Sequence, residues 1–249
     1  MKEMELIIDL HKHAERQGPG SEADTLRALG LIDISKRKGL KIADLGCGTG
    51  GQTLTLARNT EAEITAVDLF PEFLEILDLN AEKEGLQDRI ITVAGSMDAL
   101  NFENESLDLI WSEGAIYNIG FERGIRLWQP YLKPGGYLCV SEITWTSNSR
   151  PRKIEAFWNA EYPEIDRASA KVGILENNGF SLMGYFTLPQ DSWTHQYYEP
   201  LEGQFEPFLK RHNHSEPATR VVESHRDEMS LYHTYKAYYS YGFYIAKKA

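Results

Sequence analysis

The sequence is poor in cysteine, in positive charge and in long apolar runs, and each shortage removes a class of protein. Cys47 and Cys139 are the only cysteines in 249 residues, and both sit in segments that read as core. A disulfide framework is therefore not expected, and a reducing, cytoplasmic setting fits. Lys and Arg number 26 against 37 Asp and Glu, giving a net charge of −11. A nucleic-acid partner needs a basic surface to displace phosphate counterions, so none is expected. The one dense cationic cluster, Lys36-Arg37-Lys38, reads as a solvated helix end or linker. No window approaches the roughly 18 uninterrupted apolar residues of a membrane helix, so no membrane partner is expected. Met1 to Leu10 mixes acids with aliphatics and does not look like a secretion signal. Internal repeats and low-complexity stretches are missing as well.

What remains has a globular balance, with 42% hydrophobic and 25% charged residues. A first helix is expected over Met4 to Glu15, broken by Gln17-Gly18-Pro19-Gly20. Ser21 followed by Asp24 is a near capping box and starts a short helix ending at about Leu29. From Leu40 the chain alternates. Apolar runs at Leu40–Leu45, Glu63–Asp68, Ile90–Ala94, Leu107–Ser112 and Gly136–Ile143 read as strands. Helical patterns at Gly51–Asn59, Pro71–Gly85 and Phe121–Leu132 lie between them. Alternation at this spacing predicts βαβ units, a mainly parallel sheet and helices on both faces. Ala168–Asn178 reads as helix, while Phe180–Leu188 and Gly242–Lys247 read as strands. Before that last strand come about fifty residues rich in Tyr, Trp, His and Glu, expected to form two helices. An insertion of that length is usually functional.

The strongest local signal is Ala43-Asp44-Leu45-Gly46-Cys47-Gly48-Thr49-Gly50-Gly51, at the end of the first sheet strand. Glycines there let the backbone approach a ligand. The carboxyl edge of an open α/β sheet is where ligands bind, and a helix N-terminus behind the loop favours an anionic group. Asp68, at the end of the second strand, is placed to accept hydrogen bonds from two ribose hydroxyls.

Asp44-x-Gly46-x-Gly48-x-Gly50 resembles the first motif of class I S-adenosylmethionine-dependent methyltransferases, of the small-molecule, type 11-like kind. Further landmarks follow in the family's order: Asp68, then Gly95-Ser96-Met97-Asp98-Ala99-Leu100-Asn101-Phe102, Ser106-Leu107-Asp108-Leu109-Ile110 and Leu132-Lys133-Pro134-Gly135-Gly136. Together they span roughly residues 40 to 145. The resemblance implies a Rossmann-like α/β fold: a seven-stranded, mostly parallel sheet with N-terminal and C-terminal helical caps. It implies one methyltransferase domain, with its core at about 36–145, 166–188 and 242–248 and caps at about 1–30, 145–165 and 189–241. It also implies S-adenosylmethionine as cofactor, held by Asp44, Gly46, Cys47, Gly48, Gly50, Gln52, Asp68, Leu69, Ser96, Met97, Asp98 and Ser112. Two departures stand out. Ser96 occupies the position where the family often has an adenine-reading Asp, so Asp98, Ser96 or backbone groups beside Met97 are left for that task. Ser112-Glu113-Gly114-Ala115 lacks the Asn/Asp-Pro-Pro-Tyr/Phe signature of enzymes that methylate base or glutamine amino groups.

Methyl transfer from a sulfonium mainly requires the protein to orient the acceptor and exclude water. A base is needed only if the acceptor arrives protonated. Glu113 and Tyr117 follow the fourth strand, so they are the candidate catalytic residues; a helix cap and a core aromatic are the competing reading. Trp145, Tyr197 and Tyr198 are the candidates for the acceptor pocket, against a plain core role. Tyr232, Tyr235 and Tyr239 read as packing. His11 with His13, which could instead cover the active site, and His212 with His214, a possible metal pair, have no supporting ligand cluster. Both pairs read as solvated surface, and no metal is expected. A small-molecule acceptor and a monomer or homodimer complete the expectation. Two other functions compete with it. An NAD-type oxidoreductase is disfavoured by the glycine spacing and the Lys133-Pro134-Gly135-Gly136 turn. A non-catalytic nucleoside-binding module has no need of the intact loop and Asp68.

Overall fold

The computed structural model describes residues 3–34 and 38–249. Lys36 and Arg37 of the cationic cluster lie outside the described residues.

Three apolar runs make the middle of the sheet. β1 (Lys41–Leu45), β2 (Glu63–Asp68) and β4 (Leu107–Ser112) are buried along nearly their whole length, as parallel strands covered on both faces must be. β1 pairs in parallel with β2 on one side and β4 on the other. β3 (Ile90–Ala94) lies beyond β2 and forms an edge. β5 (Leu132–Trp145) lies beside β4, also in parallel. β8 (Tyr239–Lys248) runs antiparallel between β5 and β7 (Phe180–Thr187). The seven strands in the order β3-β2-β1-β4-β5-β8-β7 give the expected sheet, and the two-residue β6 (Asp166–Arg167) adds an eighth beside β5.

Successive strand residues face opposite sides. Ile42, Ile64, Leu109, Trp111, Cys139 and Phe243 join one apolar cluster, while Ala43, Val67, Ile110, Leu138 and Tyr244 join another. The first cluster is covered by α1 (Glu3–His11), α2 (Glu22–Leu29), α3 (Gly51–Asn59) and α4 (Pro71–Glu84), which contribute residues such as Leu10, Ala28, Leu56 and Leu77. The second is covered by α5 (Phe121–Trp128) and α7 (Ala168–Asn177), through Phe121, Ile125, Trp128 and Leu175. Among the described residues, no helix is long and apolar enough to cross a membrane.

The structure moves several boundaries. α1 ends at His11 rather than Glu15, and the hydroxyl of Thr49 takes up the Ala14 and Glu15 carbonyls beyond it. α5 ends at Trp128, because Pro130 supplies no N–H and disfavours helix at the residue before it. The Lys133-Pro134-Gly135-Gly136 turn falls inside β5, where the register with β4 shifts between Leu107 and Leu109. Residues 145–165 contain a helix, α6 (Arg152–Glu161). The long insertion holds α8 (Gln190–Trp193), a π-helical stretch (Thr194–Tyr198), α9 (Glu199–Arg211) and α10 (Glu216–Tyr235).

Candidate active site

The carboxyl ends of β1, β2 and β4 open into a cavity of about 680 Å³, roofed by α1 and by the segment after β7. The glycine loop forms its floor. Gly46 and Gly48 have φ of +73° and +56°, in the left-handed region where a side chain is strained. A Cβ on Gly46 would lie 2.3 Å from the Ala115 Cβ, and one on Gly48 would lie 2.0 Å from the Gln17 Oε1. The loop therefore has this shape only with glycine at both places. Cys47 and Gln52 also line the cavity, and the Gln52 amide donates to the Cys47 carbonyl at 3.1 Å. Burial pushes the Cys47 thiol well up, so it stays protonated.

Asp68 projects from the end of β2. Its two carboxylate oxygens accept from the Gly48 N–H at 2.8 Å and the Phe70 N–H at 3.0 Å. Each oxygen keeps a further lone pair for a ligand. Burial raises the Asp68 pKa, and the backbone donors partly offset that. Leu69, Ser96, Met97 and Asp98 line the same end of the cavity. The Ser96 hydroxyl donates to Asp98 at 2.5 Å, Arg123 pairs with the other Asp98 oxygen at 2.8 Å, and both hold that carboxyl below its usual range.

Three of the residues expected to touch the cofactor do not line the cavity. Asp44 is fully buried behind the loop, where it accepts from the Thr53 hydroxyl at 2.6 Å. Burial, reinforced by the nearby charge of Glu113, pushes it up to about 7. Gly50 packs against Leu77, which leaves no room for a Cβ. Ser112 donates to the Leu45 carbonyl at 2.8 Å and ties the ends of β4 and β1 together.

Glu113 lines the cavity, but both its oxygens are engaged. Arg16 donates to one at 2.7 Å; the Thr25 hydroxyl and the Trp111 ring N–H donate to the other at 2.7 and 2.9 Å. The ion pair is buried, with side-chain exposures of 7% and 5%. So placed, Glu113 clamps the α1–α2 connection onto the sheet. Gln17 completes the clamp by accepting from the Thr49 N–H at 2.8 Å. Neither Arg16 nor Gln17 belongs to any local pattern, and only their position beside the Gly18-Pro19-Gly20 break hinted at a role.

Tyr117 lines the cavity, as do His11, Tyr197, His225 and Glu228. The reading of His11 as surface is corrected: it is 6% exposed, with Nε2 2.9 Å from Nε2 of His225 and its ring stacked on Tyr197. Burial, with His225 adding to it, lowers its pKa to about 3. His13 is exposed, and His212 pairs with Asp9 at 2.9 Å. Among the described residues, no group of His, Cys, Asp and Glu is arranged to hold a metal. Tyr198 stands behind Tyr197 and donates to Glu228 at 3.0 Å. Trp145 does not line the cavity; it is buried with Arg150 over its ring at 4.2 Å and Tyr239 edge-on. The cause is its place at the end of β5, paired with Tyr239 of β8.

Residues 42–136 match the family model for the methyltransferase domain. A sterol 24-C-methyltransferase of Yarrowia lipolytica is 27% identical over 176 residues, covering 67% of this chain and 46% of that protein. The chain thus spans about half the length of the curated sterol methyltransferases it matches. The crystal structure of a SAM-dependent methyltransferase from Geobacter sulfurreducens, in complex with S-adenosyl-L-homocysteine, superposes with a TM-score of 0.82 at 20% identity, covering 100% of this chain and 99% of that one. That of the [4+2]-cyclase SpnF gives 0.73 at 22% identity, covering 94% and 85%. Residues 42–136 are thus similar to a methyltransferase domain, and the chain as a whole shares the fold of S-adenosylmethionine-dependent methyltransferase structures.

Proposed function

We propose that the protein transfers the methyl group of S-adenosylmethionine to a small-molecule acceptor. The observation that carries this reading is the meeting of the glycine loop and Asp68 in a cavity roofed by the caps. The cofactor would supply the methyl group and a thioether leaving group. Asp68 would accept from the ribose hydroxyls, the Ser96–Asp98 loop would meet the adenine, and Gly46, Cys47, Gly48 and Gln52 would lie along the methionine part. Asp44, Gly50 and Ser112 support that floor from behind. The caps exclude water and place the acceptor, with Tyr117 and Tyr197 as its contacts. Core and caps act in this reading as one unit. Glu113, held by Arg16, positions the N-terminal cap rather than acting as the base.

The acidic surface charge disfavours a nucleic-acid partner, and the two buried free cysteines suit a cytoplasmic monomer or homodimer. A fold neighbour that is a cyclase makes methyl transfer itself the quantity to measure. Calorimetry is expected to show S-adenosylmethionine and S-adenosylhomocysteine binding in the micromolar range, about −8 kcal/mol. Label from the cofactor's methyl group is expected to pass into a small molecule of a cell extract. Tight NAD binding with no binding of either sulfur nucleoside would overturn the reading.

A further inference from the structure

The cap end of the cavity has an uneven charge balance. Two arginines line the cavity, and each is committed: Arg16 to Glu113 at 2.7 Å and Arg123 to Asp98 at 2.8 Å. Glu228 of α10 also lines it, and among the described residues it makes no ion pair with Lys or Arg. Its one hydrogen bond is from the neutral Tyr198 hydroxyl, at 3.0 Å. The neighbouring His225 gives its Nδ1–H to the Val221 carbonyl at 2.8 Å and meets His11 through Nε2 at 2.9 Å. Both of its ring nitrogens are thus engaged by groups other than Glu228. Five tyrosines lie within electrostatic reach of Glu228: Tyr117 from the loop after β4, Tyr197 and Tyr198 from the cap, and Tyr239 and Tyr241 of β8. None brings a positive charge.

A carboxylate in an apolar surrounding is costly unless a cation or several donors meet it. Aromatic faces beside it attract a cation too. An anionic acceptor would find no uncommitted cation in this cavity and would meet Glu228. We propose that the acceptor is a small amine bound as its ammonium, with Glu228 as counter-charge and the rings of Tyr117 and Tyr197 beside it. For transfer the ammonium would give one proton to the Glu228 carboxylate, and the nitrogen lone pair so freed would take the methyl group as its bond to the cofactor sulfur breaks and the thioether leaves. This assignment rests on the methyltransferase reading only in calling the amine an acceptor. The charge preference of the cavity is measurable with no cofactor present.

Three probes of one skeleton test it: 2-phenylethylamine, 2-phenylethanol and phenylacetate, titrated by calorimetry with and without saturating S-adenosylhomocysteine. The apolar ring suits the lining from Ile7 and Ile8 of α1. The amine is expected to bind at least about tenfold more tightly than the alcohol, as hydrogen bonds to charged groups warrant, and the carboxylate more weakly still. In Glu228→Gln the amine should fall to the level of the alcohol, with the affinity for S-adenosylhomocysteine changed by less than about twofold. Glu228→Asp should keep the amine preference, which separates lost charge from lost packing. The proposal is overturned if the amine fails to bind, if the alcohol or carboxylate matches it, or if Glu228→Gln keeps the preference. Absence of S-adenosylhomocysteine binding alongside an intact amine preference would overturn the cofactor reading and leave this one standing.

Discussion

On the floor of the cavity, Asp68 meets Gly48 across 20 residues, within one β-α-β unit. On its roof, His11 meets His225 across 214 residues, and the clamp that seats the roof joins Arg16 to Glu113 across 97. The floor is stiff because backbone geometry dictates it: positive-φ glycines, a carboxylate on two N–H groups, and a strand buried on both faces. The roof has no such rule. It is held by side chains from distant segments, as where the Ser192 hydroxyl donates to Asp24 at 2.5 Å and the Gly20 N–H to the Ser192 carbonyl at 3.2 Å. A local template built the floor, and tertiary assembly built the roof. Substitutions on the two sides should therefore separate cofactor affinity from everything else.

The largest effect is expected at the clamp. Arg16→Ala leaves the Glu113 carboxylate buried without its cation, which costs about 3–5 kcal/mol when one partner of such a pair is removed. Denaturant titration of the cofactor-free protein measures it. Removing both charges in Arg16→Met/Glu113→Gln should recover most of the loss, because a buried ion pair is worth little against a well-packed neutral replacement. A double variant no more stable than the single would mean that Arg16 acts by something other than charge.

The floor carries its own liability in Asp44. Its folded pKa of about 7 lies above the ordinary value of 3.8. Between those limits the native state holds a proton that the unfolded chain has released. Stability from this group is thus present in full below about pH 4 and falls as pH rises towards 7, by up to about 1.4 kcal/mol per pH unit. Asp68, Glu142 and Glu228 are raised in the same direction, so the wild-type curve alone does not isolate Asp44. The difference between wild type and Asp44→Asn does, because Asn still offers Thr53 an acceptor. A difference that is flat from pH 4 to 7 would remove the buried proton from the account of the floor.

What the sequence made legible follows the same division. The order and centres of β1 to β5 were readable because a buried parallel strand needs a continuous apolar run, and the loop because only glycine tolerates φ near +73° beside Ala115. Asp44 was readable as part of a motif but not as a residue hidden behind it, since burial depends on Thr53 and Gln52 closing over the carboxylate. Trp145 read as a pocket aromatic because it follows the strand core; the pairing that carries β5 on to Tyr239 hides it. Arg16 and Glu228 gave no local signal, and His11 was weighed as a cover for the site but read as surface, because each has meaning only beside partners that the chain brings from far away. The buried pair of Lys171 with Glu142, at 2.9 Å and 1% and 0% exposed, was equally silent for the same reason.

Asp68→Ala tests the floor as a ligand site. Loss of a charged acceptor for the ribose hydroxyls is worth about 1.5–3 kcal/mol, so cofactor affinity should drop at least tenfold. The two backbone N–H groups that Asp68 holds are then left without it, and the cofactor-free melting temperature should fall as well. Calorimetry and thermal melts read the two effects separately. An unchanged dissociation constant would remove Asp68 from the ribose.

The smallest effect is the most discriminating between floor and roof. Tyr198 lies behind Tyr197, its ring 5.1 Å from that ring, and among the described residues its hydroxyl is the one hydrogen-bond donor to Glu228. Tyr198→Phe deletes that hydroxyl and keeps the packing against Trp193 and Tyr232. The stability loss should be about 1 kcal/mol, the usual worth of one such bond. Cofactor affinity should not change, because Tyr198 does not line the cavity and no residue of the floor touches its hydroxyl. Binding of 2-phenylethylamine should shift instead, because Glu228 is freed to turn towards or away from the ligand. A Tyr198→Phe variant that loses cofactor affinity while holding the amine unchanged would mean that the two walls are coupled through the cap, and the division between a locally built floor and an assembled roof would fail.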